Sequence, residues 1–359
     1  LKTFAAIVLL LTTTHVTRAD AIDDYVNGQL SSQHIPGLAL AIIQDSVLVR
    51  AQGYGLANVE HQVPVHADTI FQSGSIGKQF TATVVMLLVE DGKLHLDESV
   101  RTYLPQAPKN WAPITIRHLL THTSGLPANS DADLRRDYTD DELLEVFYRL
   151  KTVFPAGTRW TYSNVGYELL GIIVKRVTGN TYSDILAERV FKPLNMQTAR
   201  LISDRDIVIN RAAGYELEKS ILKNQNWVAS WANATADGSL YLTVLDFAKW
   251  DEGLRAERVL KQESWAEVYR PASLSGGRTY PYGFGWFLEE SNGQVIHRHD
   301  GAWQGFTTSF IRYLTDGVSI VVLDNLAGSD PDKIARHVAG LYDKKLAMPP
   351  GSPENNAEH

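Results

Sequence analysis

Ser75 and Lys78 stand three residues apart in Ser75-Ile76-Gly77-Lys78, at the start of a run, 75–90, that is apolar on nearly every helical face. That spacing sets two side chains one helical turn apart on the same face, where they can touch. A serine hydroxyl becomes a nucleophile when a base removes its proton, and a lysine in apolar surroundings has the lowered pKa the task needs. Tyr162-Ser163-Asn164 follows a Pro-Gly loop and precedes a second helical pattern, so its side chains can project from a loop edge into a cleft. A tyrosine, with a pKa of about 10, becomes a base only if a cation such as Lys78 lowers it. Asn164 offers an amide to a substrate carbonyl or to the lysine. His299-Asp300-Gly301 ends a strand-like run. Glycine at that point lets an acyl group approach the strand, and the Ala302 amide can pair with that of Ser75 as an oxyanion hole.

Each motif alone also has a structural explanation. Ser75 can cap a helix whose lysine reaches the surface, Asn164 can be a turn residue, and His299 can close a strand. The chain carries copies in unsuited settings, Ser220-Ile221-Leu222-Lys223 in a polar stretch and Tyr25-Val26-Asn27 near the start. His118 with His122, and His297 with His299, raise the question of zinc. The metalloprotease helix motif needs Glu after its first histidine, where Leu119 stands, so neither a metal nor another cofactor is expected.

The elements that must hold these residues follow an order of strands, helices, strands. Residues 22–33 suit a helix, and 38–44 and 47–52 read as a hairpin turning at Asp45-Ser46. Helical segments at 141–150 and 166–178 occupy the middle, strand-like runs follow at 284–290, 294–298, 307–313 and 318–324, and a helix at 332–346 ends the pattern. Strands at the two ends cannot each make a stable sheet. The expectation is an α/β fold of α+β type, with one antiparallel sheet built from both chain ends, flanked by helices, and a helical lobe at about 90–235 inserted.

The chain has 359 residues, 44% hydrophobic and 21% charged, enough for a large core. Residues 1–19, with Lys2 before an apolar run at 4–11, read as a secretory signal peptide cut after Ala19; residues 20–348 form the folded domain and 349–359 a disordered tail. The product is expected to be exported, periplasmic or extracellular. No uncharged run approaches the roughly 20 residues a spanning helix needs, so no membrane anchor is expected. There are no cysteines, which excludes disulfides and a lipidated amino-terminal cysteine. Taking Lys2 and Arg18 from the 34 basic residues leaves 32 against 41 acidic ones, moving the net charge from -7 to -9. Nucleic acid is thereby excluded as a natural partner.

Taken together, the motifs resemble the serine β-lactamase and penicillin-binding-protein superfamily, in its class C-like branch of family VIII carboxylesterases, D-aminopeptidases and DD-peptidases. The resemblance rests on Phe71-Gln72-Ser73-Gly74-Ser75-Ile76-Gly77-Lys78, His118-Leu119-Leu120-Thr121-His122-Thr123-Ser124-Gly125-Leu126-Pro127, Tyr162-Ser163-Asn164-Val165-Gly166-Tyr167, Tyr282-Gly283-Phe284-Gly285-Trp286 and His299-Asp300-Gly301, in the family's order. It implies a two-lobed fold with Ser75 as nucleophile, Lys78 as its partner and Tyr162 as general base. It further implies substrate orientation by Asn164, His299 and Gly301, with an oxyanion hole from Ser75 and Ala302.

Relatives of this kind carry Lys-Thr-Gly at the third motif, and its lysine helps to bind the substrate carboxylate. His299, only partly charged near neutral pH, weakens that attraction. Arg298 points to the opposite face if its strand is regular. The expected substrate is therefore a small ester, amide or peptide, with an esterase-type hydrolase ahead of a β-lactamase, DD-peptidase or D-aminopeptidase. A non-catalytic binding protein of the same fold is the third reading.

Overall fold

The computed structural model describes residues 18–347. Nearly all of the expected leader and the whole tail 349–359 lie outside the described residues. The leader's last two positions already belong to helix α1 (Arg18–Gln33), so the helix starts four residues earlier than the pattern suggests.

Strands β1 (Gly37–Gln44) and β2 (Val47–Asn58) form the expected hairpin. Its turn residues Asp45 and Ser46 both take left-handed backbone angles, φ 48° and 68°, matching the twist of the paired strands. A short β3 (Val63–Pro64) extends this edge. From the other end of the chain come β4 (Phe287–Ser291), β5 (Gln294–Trp303), β6 (Phe306–Tyr313) and β7 (Val318–Asp324). The seven strands lie in the order β4-β5-β6-β7-β1-β2-β3, every pairing antiparallel. The two chain ends meet at β1 and β7, with Leu40 opposite Val322.

Alternation along the strands then fills both faces. Leu38, Leu40 and Ile42 join Ile320 and Val322 under α1 and helix α5 (Pro331–Tyr342), through Ile22, Val26, Ile334 and Val338. Ala39, Ala41 and Ile43 face the larger core, with helix α2 (Gly77–Glu90), helix α3 (Asn164–Thr178) and helix α4 (Val244–Arg255). Phe80, Val84, Phe247 and Trp250 are fully buried there. Two further short hairpins, Tyr215–Glu218 with Ile221–Asn224 and Ala272–Leu274 with Arg278–Tyr280, interrupt the helical middle.

Two boundaries differ from the sequence reading. The strand expected from 284 begins at Phe287, because Gly285 turns the chain with φ +78° against the start of α2. A Cβ at Gly285 would lie 2.8 Å from the Gln79 nitrogen. Conversely, β5 runs five residues past 298 and so carries His299, Gly301 and Ala302 within the sheet. No helix among the described residues is long and apolar enough to cross a membrane.

Candidate active site

Ser75 sits in a single 3-10 turn, Gly74–Ile76, that leads into α2. Gly74 takes φ +51°, and a Cβ on it would fall 2.4 Å from the Ala302 nitrogen. A Cβ on Gly301 would fall 2.2 Å from the Ser73 oxygen and 2.9 Å from the Ser75 nitrogen. Only two glycines allow this turn and β5 to lie so close, and the contact brings the Ser75 and Ala302 amides side by side. Thr308 Oγ1 ties the same turn to β6 by donating to the Ser73 carbonyl at 2.7 Å.

Lys78 is completely buried, which settles its contest with a surface-directed lysine. Its Nζ lies 3.0 Å from Ser75 Oγ, 2.7 Å from Asn164 Oδ1 and 2.5 Å from the Asp237 carbonyl oxygen. A charged Lys78 fills all three contacts as a donor. A neutral one donates to Asn164 and Asp237 and turns its lone pair to the serine hydroxyl. Burial is the largest influence and brings its pKa down to about 8, against the opposing pull of the Asp237, Glu168 and Asp300 carboxylates.

Ser163 caps α3 by accepting from the Gly166 amide, which fixes Asn164 at the first turn of the helix. Both ends of the Asn164 amide are engaged, since its Nδ2 donates to Asn129 Oδ1 at 2.9 Å. Asn164 therefore orients the lysine, while the second N–H of its amide is not used by these two bonds. Tyr162 lies beside this pair, its ring centroid 4.8 Å from Lys78 Nζ. Burial drives its pKa well above 10, and a hydrogen bond with Ser75 opposes that rise without reversing it. The expected lowering of Tyr162 by the lysine does not prevail, and its hydroxyl stays protonated at neutral pH.

His299 departs further from expectation. It is wholly enclosed, with Nε2 3.0 Å from the Tyr282 hydroxyl and Nδ1 2.6 Å from the Asp300 carbonyl. Burial pulls its pKa down to about 3, so the expectation of a partly charged side chain is corrected to a neutral one behind the cleft wall. Arg298 does face the other side of the sheet, as regular alternation requires. There it pairs with Glu289, with Asp300 at 3.2 Å and with Asp332 at 3.7 Å. Among the described residues no group of three or more His, Cys, Asp and Glu side chains could hold a metal ion. His118 instead completes a helix cap, accepting from the Thr115 amide at 3.2 Å.

Sequence reasoning missed the Asp237 carbonyl, Asn129, and the enclosing roles of His122 and Tyr282. The last two stand within matched motifs, which was the available signal. The decoys are placed away from this chemistry, Ser220 and Lys223 in an exposed hairpin and Tyr25 in α1.

A serine whose hydroxyl touches a buried lysine of lowered pKa has the parts of a lysine-assisted nucleophile. The chain belongs to the beta-lactamase family, whose model matches residues 20–343. It is 30% identical over 295 residues to penicillin-binding protein 4* of Bacillus subtilis, covering 76% of this chain and 64% of that one. It is 26% identical to the D-aminopeptidase of Brucella canis, over 89% of this chain and 61% of the relative. The chain thus spans less than two thirds of the length of these two relatives, 64% and 61%. Among solved structures, the octameric penicillin-binding protein homologue of Pyrococcus abyssi superposes with a TM-score of 0.80 at 27% identity, covering 91% of this chain and 77% of the other. D-amino acid amidase of Ochrobactrum anthropi superposes with a TM-score of 0.76 at 26% identity, covering 91% and 98%.

Proposed function

We propose that this protein is a serine hydrolase that cleaves uncharged esters and small amides through an acyl-enzyme on Ser75, with esters the preferred substrates. The observation that carries the choice is the neutral, enclosed His299 at the position where a lysine would bind a substrate carboxylate. Arg298, the nearest alternative in the sequence, is held on the opposite face by carboxylates. Penicillins and peptides with a free carboxylate lack a counter-charge there.

In this reading Lys78 accepts the Ser75 proton as Oγ bonds to the substrate carbonyl carbon, and the oxyanion rests on the Ser75 and Ala302 amides. Collapse breaks the bond to the leaving group, which takes its proton from Tyr162, and Tyr162 regains one from Lys78. Water then attacks the acyl carbon and the transfers run in reverse, releasing the acid. Lys78 rather than Tyr162 is assigned as first base, because the lysine is the group whose pKa falls toward neutrality.

A second reading, hydrolysis of amino-acid amides bearing a free amine, is favoured by the Asp237 carboxylate near Lys78 and by the amidase and aminopeptidase relatives. Turnover of p-nitrophenyl butyrate, D-alanine p-nitroanilide and a chromogenic cephalosporin by wild type and Ser75→Ala separates the cases. Ester turnover lost in the variant supports the proposal, and dominant anilide or cephalosporin cleavage replaces it. Wild-type activity in Ser75→Ala refutes the nucleophile. We also propose export with removal of the leader, which the start of the family match at residue 20 supports. A secreted product as long as the full chain would refute it.

A further inference from the structure

We propose that His122, Tyr282 and His299 form a one-way hydrogen-bond chain that locks the loop bearing Tyr162 to the strand bearing the Ala302 amide, making Tyr282 a positioning residue for acyl transfer. The inference rests on the acyl-transfer reading above. Its ends are set by backbone groups that have no choice of role. The Ser163 N–H, adjacent to Tyr162, donates to His122 Nδ1 at 3.0 Å. The Asp300 carbonyl, two residues before Ala302, can only accept, so His299 Nδ1 at 2.6 Å must carry a proton.

The Tyr282 hydroxyl also borders that of Tyr167, which donates to the Leu120 carbonyl, and one arrangement pairs every ring nitrogen of the two histidines. A neutral His122 whose Nδ1 accepts must carry its proton on Nε2, and it donates to the Tyr282 hydroxyl at 3.2 Å. A neutral His299 protonated on Nδ1 leaves Nε2 as an acceptor, which the Tyr282 O–H fills at 3.0 Å. The two histidines are thus opposite tautomers, and Tyr282 links them. All three are essentially inaccessible to solvent, at 1%, 0% and 0% exposure for His122, Tyr282 and His299. Burial depresses the pKa of both histidines, consistent with the neutral forms the chain requires.

The chain joins three segments far apart in sequence, and each end reaches the reacting groups through a backbone group. His122 is held with φ +58°, a left-handed conformation costly for a residue with a Cβ, so the surroundings enforce its placement. Aromatic rings wall the path, with Tyr162 4.3 Å and Tyr282 4.8 Å from the His122 ring centroid. Removing the Tyr282 hydroxyl would strand one buried donor and one buried acceptor at once. His299 would keep its Nδ1 proton on the Asp300 carbonyl, but its Nε2 would have lost the hydroxyl that ties the Asp300–Ala302 strand to His122.

The test uses the full chain labelled with 15N-histidine, with two-bond 1H–15N correlation spectra at pH 7 and assignment by single histidine variants. Wild type should show His122 protonated on Nε2 and His299 on Nδ1. In parallel, the rate at which Ser75 attacks a fluorophosphonate is followed by intact mass. That reaction forms the Oγ–P bond, expels fluoride and delivers the serine proton to Lys78, so it reads the nucleophile and oxyanion hole without needing the natural substrate. Tyr282→Phe should remain folded by circular dichroism, slow this labelling by roughly a hundredfold through misplacement alone, leave His299 protonated on Nδ1, and shift the Nε2 signals of both histidines that report the lost hydroxyl. Identical tautomers for both histidines in wild type would overturn the proposal, as would an unchanged labelling rate in Tyr282→Phe. Labelling that follows these expectations in a protein that turns over no ester or amide would sustain the chain and refute the substrate reading instead.

Discussion

Asn164→Ala should move the pH dependence of the enzyme in a direction that identifies its base. Lys78 donates to Asn164 Oδ1 at 2.7 Å in either protonation state, but the bond is stronger when the lysine is charged. A charge-assisted hydrogen bond contributes about 1.5–3 kcal/mol and a neutral one about 0.5–1.5 kcal/mol. The ammonium therefore loses about 1–1.5 kcal/mol more than the amine, which at about 1.4 kcal/mol per tenfold lowers the lysine pKa by about one pH unit. Lys78 must be neutral to accept the Ser75 proton, so kcat/KM rises with pH through its pKa, about 8 in the wild type. In Asn164→Ala the rising limb should move to lower pH by about one unit while the plateau falls through poorer alignment. The assay is kcat/KM for p-nitrophenyl butyrate at constant ionic strength from about pH 5.5 to pH 10, corrected for spontaneous hydrolysis. A limb that stays near pH 8, or moves upward, refutes Lys78 as the titrating base.

Gly301→Ala should cut kcat by roughly a hundredfold or more with little change in fold, since its Cβ would sit 2.2 Å from the Ser73 oxygen and push the Ala302 amide off the oxyanion position; steady-state kinetics and circular dichroism check it. Burial lowers Lys78 from 10.5 to about 8, so the unfolded chain binds the extra proton between those values. The lysine's contribution to stability accordingly rises as pH increases from about 8 to about 10.5, by on the order of 3 kcal/mol. Urea unfolding of wild type and Lys78→Met at pH 7.5 and pH 10 should show wild type gaining on the variant at the higher pH. Arg298→Met should destabilise by about 3–5 kcal/mol, because it leaves Glu289, Asp300 and Asp332 carboxylates short of a buried partner. Its KM for an anionic ester should stay at the wild-type value, because Arg298 faces away from the cleft.

What could be read directly from the sequence was whatever depended on short-range spacing. Ser75 and Lys78 meet because three residues on a helix make one turn, and Arg298 faces away because β5 alternates regularly through that point. The closed sheet was legible because neither set of strands could be stable alone. The missing parts depend on contacts no local pattern encodes. The Asp237 carbonyl reaches Lys78 across 159 positions, and any residue type supplies a carbonyl. Gly285 ends a strand pattern early because of what its backbone packs against, and the hairpin at Tyr215–Asn224 lay hidden in a stretch too polar to show a buried face. His299 looked like a group that titrates near neutrality. Its enclosure by Tyr282, Phe287 and Tyr162 is a tertiary fact, and it reverses the electrostatic role.

In the proposed reaction the same physics bears on both the base and the choice of substrate. Burial alone would drive the Lys78 amine far from its ordinary pKa, and the carboxylates of Asp237, Glu168 and Asp300 pull it part of the way back, leaving it about one pH unit above neutrality. At pH 7 roughly a tenth of the lysine is then free to accept a proton, while the remainder can serve as a donor in the return step. An incoming carboxylate would find a neutral His299 in the place of a binding cation, a lack that costs an uncharged ester nothing. Placing a lysine at His299 would not by itself convert the site to carboxylate binding, because that side chain is enclosed at 0% exposure behind Tyr282. The cleft would have to open as well, and the hydrogen-bond chain that holds the oxyanion strand would be broken in the process.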